Sequence, residues 1–291
     1  MDSAGNFKPQ MLESWVLSDD KLAYTFTLRD GLSWNDGTAV TSDDCIASIE
    51  RWAKRVPFGG AMMEAVGELR ALDAKRFTIR LHRPFGFVIE ALGRSGHQVP
   101  VMMPARLARL EASKPVPEVV GSGPFTFLRK EWRPGDMASF VPNPLYRPRS
   151  EAPDGLAGAK VVKLDRVDIV SIADQTTRAS ALEAGELDWL EIAPLDHVAA
   201  MRADRGIVVG KPSGMDQFLA VLNVNHANPP FNDIKVRKAL QAAIVQPEIA
   251  AAVGLPADLV TPFCGSIYMC NAPGSTDAGT DVLKNAGPER A

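Results

Sequence analysis

Near the start of the chain, apolar and polar residues alternate. Every second residue from Leu22 to Leu28 is apolar, and the residues between them are Ala or Thr. This period of two predicts a half-buried β-strand over residues 22–29. Apolar residues at Ile46, Ile49 and Trp52 then recur at helical spacing. They come after the run 41–44, Thr-Ser-Asp-Asp, which has the form of a capping box at a helix start.

The loop between this strand and helix places a tryptophan among turn residues. Trp34 stands between Asp30-Gly31 and Asn35-Asp36-Gly37. Turn-forming residues of this kind let a chain reverse tightly. The indole then has two possible uses, either as a plug between strand and helix or as an exposed platform for a ligand. The local pattern alone leaves both open.

Farther along, strands and helices continue to alternate. A hairpin with its turn at 133–136 is predicted within residues 121–146, and Gly185 is expected to end a short helix as a left-handed cap. Further strands are predicted at 77–81, 163–172, after Gly185 and over 215–225, and further helices at 85–92, after Pro104 and over 233–244. Interleaving of this kind indicates an α/β or α+β fold.

Length and charge narrow the function classes. The chain has 291 residues, which suggests about two domains, and its net charge of −3 comes from 32 basic and 35 acidic residues that are well mixed. Without a basic stripe, nothing favours nucleic-acid binding. No run approaches the roughly 18 apolar residues of a membrane-spanning helix. The opening MDSAGNFKPQ also lacks the pattern of a signal peptide.

No pattern of catalytic or metal-binding residues emerges. GIVVGKP is one residue too short for a phosphate-binding loop, and the four histidines lie far apart without metal-ligand spacing. A calcium loop starting at Asp30 would need an oxygen ligand where Leu32 stands. We therefore expect no cofactor, no metal and no enzymatic activity.

The three cysteines divide into two kinds. Cys45 falls on the apolar face of the first helix, where a small core residue is expected. Cys264 and Cys270 are separated by five residues, a spacing that allows their Cα atoms to approach within about 4.4–6.8 Å. They could form a disulfide in an oxidising compartment or remain free thiols.

Four segments in order resemble one family. They are LAYTFTLRDGLSWNDGTAVTSDDCIASIERW, GSGPFTF, ALEAGELDW and NPPFNDIKVRKAL, and together they span nearly the whole chain. They are similar to the family 5 extracellular solute-binding proteins, which are the dipeptide-, oligopeptide- and nickel-binding components of ABC importers. The resemblance makes Trp34 a structural plug that seals the strand against the helix.

The family resemblance implies a periplasmic-binding-protein-like fold of class α/β with two lobes and an extra small subdomain. Residues 1–118 would form the small subdomain of lobe one, and residues 119–212 the core of that lobe. Residues 213–291 would form the crossing between the lobes and the start of an incomplete lobe two. The solute closes between the lobes, and no bond is broken.

The two ends depart from the family pattern. Members are longer, with a secretion signal before the first of these segments and more of the second lobe after the last. Val245 also stands where the family has Asp. The chain thus resembles the middle of such a protein. The alternatives are a non-functional truncated remnant or, less favoured, a hydrolase with a dispersed site.

Candidate ligand contacts come from the same resemblance. The crossing between lobes carries a mixture of polar and apolar side chains, and a polar loop at 93–99 could line the cleft. The candidate ligand-binding residues are Met215, Asp216, Gln217, Phe218, Asn223, Ser95 and His97. The implied partners are a peptide or other small solute and the transmembrane subunits of an ABC permease, with no nucleic acid. We expect a monomer in the periplasm or another extracytoplasmic location.

Overall fold

The structure is a computed structural model that describes residues 1–94, 96, 98–211, 220–261, 263–270, 274–287 and 289. The chain divides into two compact units, Met1–Ser171 and Ile172–Ala291. The first unit combines helices with two sheets, whereas the regular elements described in the second unit are helices. The domain divisions implied at residues 118 and 212 stay predictions.

A four-stranded antiparallel sheet forms the core of the first unit. Its strands are β1 (Leu12–Leu17), β2 (Ala23–Leu28), β3 (Val66–Ala71) and β4 (Arg76–Leu81), in the order β1-β2-β4-β3. The alternation predicted for β2 is confirmed, because Tyr24, Phe26 and Leu28 are buried. The strand predicted at 77–81 is confirmed as β4. The edge strands β1 and β3 were not predicted, and two thirds of their residues are exposed.

Helices cover one face of this sheet. They are α1 (Ser42–Ala53), α2 (Pro57–Met63), α3 (Val88–Gly93) and α4 (Ala105–Ala108). The predicted capping box is confirmed, since Thr41 and Asp44 bond each other's backbone N–H at the start of α1. Phe26, Ile49 and Ile79 are almost completely buried between sheet and helices. Burial of such side chains contributes about 1.5–3 kcal/mol each, so this layer dominates the stability of the unit.

A smaller antiparallel sheet completes the first unit. Its strands are β5 (Phe125–Phe127), β6 (Met137–Pro142) and β7 (Val167–Val170), in the order β5-β6-β7. The predicted hairpin is confirmed, with Arg133 and Met137 bridged at its turn. The rings of Phe127 and Phe140 lie 5.5 Å apart across the pair and hold one face together.

The regular elements in the described part of the second unit are helices joined by long loops. They include α5 (Gln175–Glu183), α6 (Val198–Ala203), α7 (Ile234–Ala243), α8 (Gln246–Ala252) and α9 (Asp281–Lys284). Gly185 has a φ of 76°, as predicted for a left-handed residue that ends α5. Helix α7 begins after Asp233, whose carboxylate accepts the backbone N–H of Lys235. The predicted helix over 233–244 is therefore confirmed.

Two predicted strands of this unit are wrong where the structure describes them. Residues 186–192 form bends rather than a strand, and Trp189 in this stretch is 76% exposed. Residues 220–225 form neither helix nor strand, and Val221 and Leu222 are exposed. An apolar run makes a strand only where a neighbouring strand accepts its backbone hydrogen bonds. Residues 215–219 of the second prediction lie outside the described residues.

The folded units match the predicted class of a mixed α/β protein with open sheets. None of the helices in the described part of the chain has both the length and the apolar character that a membrane crossing requires.

Candidate functional site

Trp34 lies inside the protein. Only 1% of its surface is exposed, and it packs in the same cluster as Phe26 and Ile49. Its backbone N–H donates to the Thr38 carbonyl at 2.8 Å, which closes the tight loop predicted from the turn residues. The interpretation as a plug is therefore confirmed, and this ring offers no surface to a ligand.

A buried carboxylate holds the Trp34 loop against two helices. Asp44 Oδ2 accepts the backbone N–H of Thr41 at 2.8 Å, the Thr41 hydroxyl at 2.9 Å and the indole N–H of Trp34 at 3.3 Å. Its Oδ1 accepts the N–H of Ala105, at the start of α4, at 2.7 Å. Four donors around one buried carboxylate satisfy it without a cation. Sequence reasoning identified Asp44 as a cap but missed its contacts with Trp34 and Ala105.

The loop at 93–99 is fixed at its described residues. Trp52 of α1 donates its indole N–H to the Gln98 carbonyl at 2.7 Å, and the Arg94 guanidinium lies 5.8 Å from the centre of the Phe58 ring. Gln98 has a φ of 64°, a conformation that residues other than glycine rarely adopt. Such a conformation persists only where its surroundings enforce it. Strained residues of this kind cluster at functional sites, which favours this loop as part of a functional surface.

The predicted contact residues are only partly described. Ser95, His97 and the run from Met215 to Phe218 lie outside the described residues. Asn223 is exposed, in a stretch without helix or strand in the second unit. The seven residues are therefore not brought together by anything that the structure describes, and their role stays a prediction.

A charged pocket of about 360 Å³ lies between the N-terminal turn and the loop at 149–158. Arg149 binds both oxygens of Glu151 at 2.7 and 3.0 Å, and this pairing lowers the pKa of Glu151 to about 2. Lys8 lies 3.7 Å from Asp2, and hydrogen bonds from Ser3 hold the pKa of Asp154 below its ordinary range. These charges pair with one another and hold the N-terminal segment against the loop at 149–158.

Neither a metal-binding cluster nor a reactive free thiol is found among the described residues. No group of three or more His, Cys, Asp or Glu side chains within the described ranges is arranged to hold a metal ion. Burial raises the pKa of the Cys45 thiol to about 12, so this group stays protonated and unreactive at neutral pH. The predicted core position of Cys45 is confirmed.

Comparison with known proteins gives a consistent result. The sequence model of the bacterial extracellular solute-binding proteins, family 5 Middle, matches residues 6–287. The "Probable peptide ABC transporter periplasmic-binding protein y4tO" of Sinorhizobium fredii is 37% identical over 296 residues, which cover all of this chain and 54% of the relative. The chain thus spans about half the length of the curated relatives that it matches.

Solved structures of periplasmic binding proteins resemble the structure of this chain. The periplasmic binding protein DppA of Helicobacter pylori, in complex with the peptide STSA, has a TM-score of 0.66 at 23% identity, over 87% of this chain and 52% of that one. The protein MoaA of A. tumefacien R10, in complex with mannopinic acid, has a TM-score of 0.64 at 26% identity, over 84% of this chain and 47% of that one.

Proposed function

This chain belongs to the bacterial extracellular solute-binding proteins of family 5, and from that membership we propose that it works as the solute-binding component of an ABC importer. The observation that carries the proposal is the family match, which covers residues 6–287. We propose that the protein captures a peptide or related small solute and delivers it to the permease in the membrane.

Peptides are the first solute class that we propose. The y4tO relative is named as a peptide transporter component, and the DppA neighbour holds the peptide STSA. The mannopinic acid in the MoaA neighbour makes compounds of that kind the second class.

The proposed mechanism is closure of two lobes around the solute. A solute that contacts both lobes only in the closed form binds that form more tightly, so binding shifts the population towards it. The permease then distinguishes the closed form from the open one. Because capture and release break no bond, we propose that the protein is not an enzyme.

Within this mechanism, we propose that the solute binds where the chain crosses between lobes. Asp216 and Gln217 supply a carboxylate and an amide for the charged and neutral polar groups of a peptide, while Met215 and Phe218 supply apolar contact. Asn223 follows in the same segment and would add a second amide. Ser95 and His97 would add polar contacts from the loop in which Trp52 holds Gln98. Residues 1–118 would form the small subdomain of lobe one and residues 119–212 its core. Residues 213–291 would form the crossing and the start of lobe two.

The proposed setting is that of the relatives. Several of them are named as periplasmic, so we propose an extracytoplasmic location for this protein. Its partners would be the solute and the transmembrane subunits of the permease. We propose that it acts as a monomer and binds no nucleic acid, in keeping with its mixed charge.

Calorimetric titration of the full-length protein with a set of di- to pentapeptides tests the proposal. Asp216→Ala and Gln217→Ala should each weaken binding by about 10- to 100-fold, the effect of losing one hydrogen bond to a charged group. Thermal melts of the variants should remain close to that of the parent. Asp188→Ala, at an exposed position of the second unit, is the matched control and should bind normally.

Other results would favour the alternatives. Equal affinity in the parent and both variants would remove the assigned site. Absence of binding to every peptide of the set would count against the first solute class and would favour either the second class or a non-functional remnant. Cleavage products in the mass spectrum of the incubated peptides would favour the hydrolase.

A further inference from the structure

A short loop in the second unit is closed by a disulfide. Cys264 and Cys270 are bonded, with their Cα atoms 5.8 Å apart, as the sequence spacing allowed. Both residues are partly exposed, whereas Cys45 is buried. We refer to the loop together with the next part of the chain, residues 263–270 and 274–287, as the bridge segment.

One side of the loop is fastened to helix α8. Gln246, the first residue of α8, accepts the backbone N–H of Cys264 through its side-chain oxygen at 2.9 Å. The same side chain donates its amide N–H to the Cys264 carbonyl at 2.8 Å. Two opposed hydrogen bonds fix the backbone of Cys264 in both position and orientation.

The next residue of the loop, Gly265, fits against the start of α9. A Cβ atom on Gly265 would lie 2.5 Å from the Thr280 Cγ2 atom, so only glycine allows this approach. Farther along, the Gly287 N–H donates to the Ala242 carbonyl of α7 at 2.7 Å. The loop therefore contacts both α8 and the start of α9. The end of the bridge segment, which includes α9, is bonded to α7 through Gly287.

The bridge segment has little core of its own. Among its described residues, Thr280 is the one that is buried, and Ile267 and Tyr268 are 85% and 56% exposed. A region that buries so little apolar surface depends on cross-links and hydrogen bonds for its order. The covalent link is the strongest of these constraints.

We propose that the Cys264–Cys270 disulfide is a thiol–disulfide exchange site and that its oxidation state controls the order of the bridge segment. The co-reactant is a dithiol, either a small molecule or a protein. Its thiolate attacks one sulfur of the bridge, so that a mixed disulfide forms and the other cysteine leaves as a thiolate, which takes up a proton. The second thiol of the co-reactant displaces the first cysteine, and two electrons pass to the protein. This exchange does not depend on the proposed transport function.

Trapping under native conditions tests the exchange. The intact chain is incubated with dithiothreitol without denaturant, alkylated with N-ethylmaleimide and measured by mass spectrometry. Cys264 and Cys270 should each gain one adduct while Cys45 gains none. Adducts that appear at Cys264 and Cys270 only in step with Cys45 would mean that reduction requires global unfolding, and this would overturn the proposal.

Hydrogen exchange tests the control of order. After reduction, amides of the bridge segment should exchange about tenfold faster or more, and those of strands β2 and β4 should not change. The double variant Cys264→Ser, Cys270→Ser should show the same fast exchange without reductant and no further response to it. Slow exchange of the bridge segment in reduced protein would refute the role of the disulfide.

A matched variant separates the effect of the disulfide from that of the two Gln246 hydrogen bonds to Cys264, which we call the clamp. Gln246→Ala keeps the disulfide and removes only the two hydrogen bonds to Cys264, so faster exchange should stay confined to the residues near Cys264. Loss of order throughout the bridge segment in Gln246→Ala would assign the effect to the clamp and contradict the proposal. No ligand is used in these measurements, so their failure is distinct from a failure of the proposed transport function.

Discussion

The substitution Asp44→Asn tests the buried carboxylate that holds the Trp34 loop. Asparagine has almost the same shape as aspartate, so packing is preserved and only the hydrogen bonds change. One oxygen can still accept the donors from Thr41 and Trp34. The NH2 group must then face the N–H of Ala105, which is 8% exposed and has little access to water.

The substitution lowers the free energy of unfolding in two ways. A buried donor without an acceptor costs about 1–3 kcal/mol. The remaining hydrogen bonds also weaken, because a neutral amide oxygen is a poorer acceptor than a carboxylate. Together these effects predict a loss of about 2–4 kcal/mol in the free energy of unfolding. For a unit of this size, such a loss lowers the melting temperature by roughly 5–15 °C.

Thermal and urea unfolding, monitored by circular dichroism, measure the loss. Asp43→Asn is the matched control, since Asp43 lies one residue earlier in the same helix and its half-exposed side chain forms an ion pair with Arg109. Such a surface pair contributes about 0–1 kcal/mol, so the control should melt close to the parent. Equal unfolding free energies for the two variants would show that the carboxylate does not hold loop and helices together.

The remaining predictions concern the core and two titratable groups. Trp34→Ala should lower the unfolding free energy by about 3–5 kcal/mol in a urea titration, because the ring is fully buried, and a loss below about 1 kcal/mol would contradict its role as a plug. Cys45 should resist iodoacetamide at pH 8 in native protein, since burial raises its pKa to about 12, and should react once guanidinium unfolds the chain; fast native labelling would be inconsistent with its position. Glu151 should titrate near pH 2, below its ordinary value of 4.5, in carboxyl-carbon NMR. Because the pKa of Glu151 is lowered in the folded state, its pairing with Arg149 stabilises the fold above pH 4.5, and this stabilisation is lost as the pH falls towards 2. Arg149→Gln should raise the titration midpoint of Glu151. An unchanged midpoint would exclude the ion pair as the cause.

Elements defined by short-range patterns were predictable from sequence. Strand β2 carries its own alternation, and α1 its own capping box, so neither needs information from distant residues. The edge strands β1 and β3 were missed because most of their side chains are exposed, which blurs the alternation. The wrong strands at 186–192 and 220–225 arose because an apolar run does not reveal whether a partner strand is present.

The candidate site shows the same division. The turn residues predicted the tight loop around Trp34, but the bond from Asp44 to Ala105 joins residues 61 positions apart and depends entirely on packing. The clamp of Gln246 on Cys264 likewise has no local signal. Among the seven predicted solute contacts, Asn223 is the one that the structure describes, and it is exposed; all seven rest on the family resemblance.

The four donors around Asp44 also impose an order of events during synthesis. Asp44 leaves the ribosome 61 residues before Ala105 does, and its partners Thr41 and Trp34 leave earlier still. At about 5–20 residues per second, this interval lasts about 3–12 s. Water must solvate Oδ1 during that time, so we expect the contact between Asp44 and α4 to form only after α4 has emerged. Protease sensitivity of stalled chains should therefore fall only after that point.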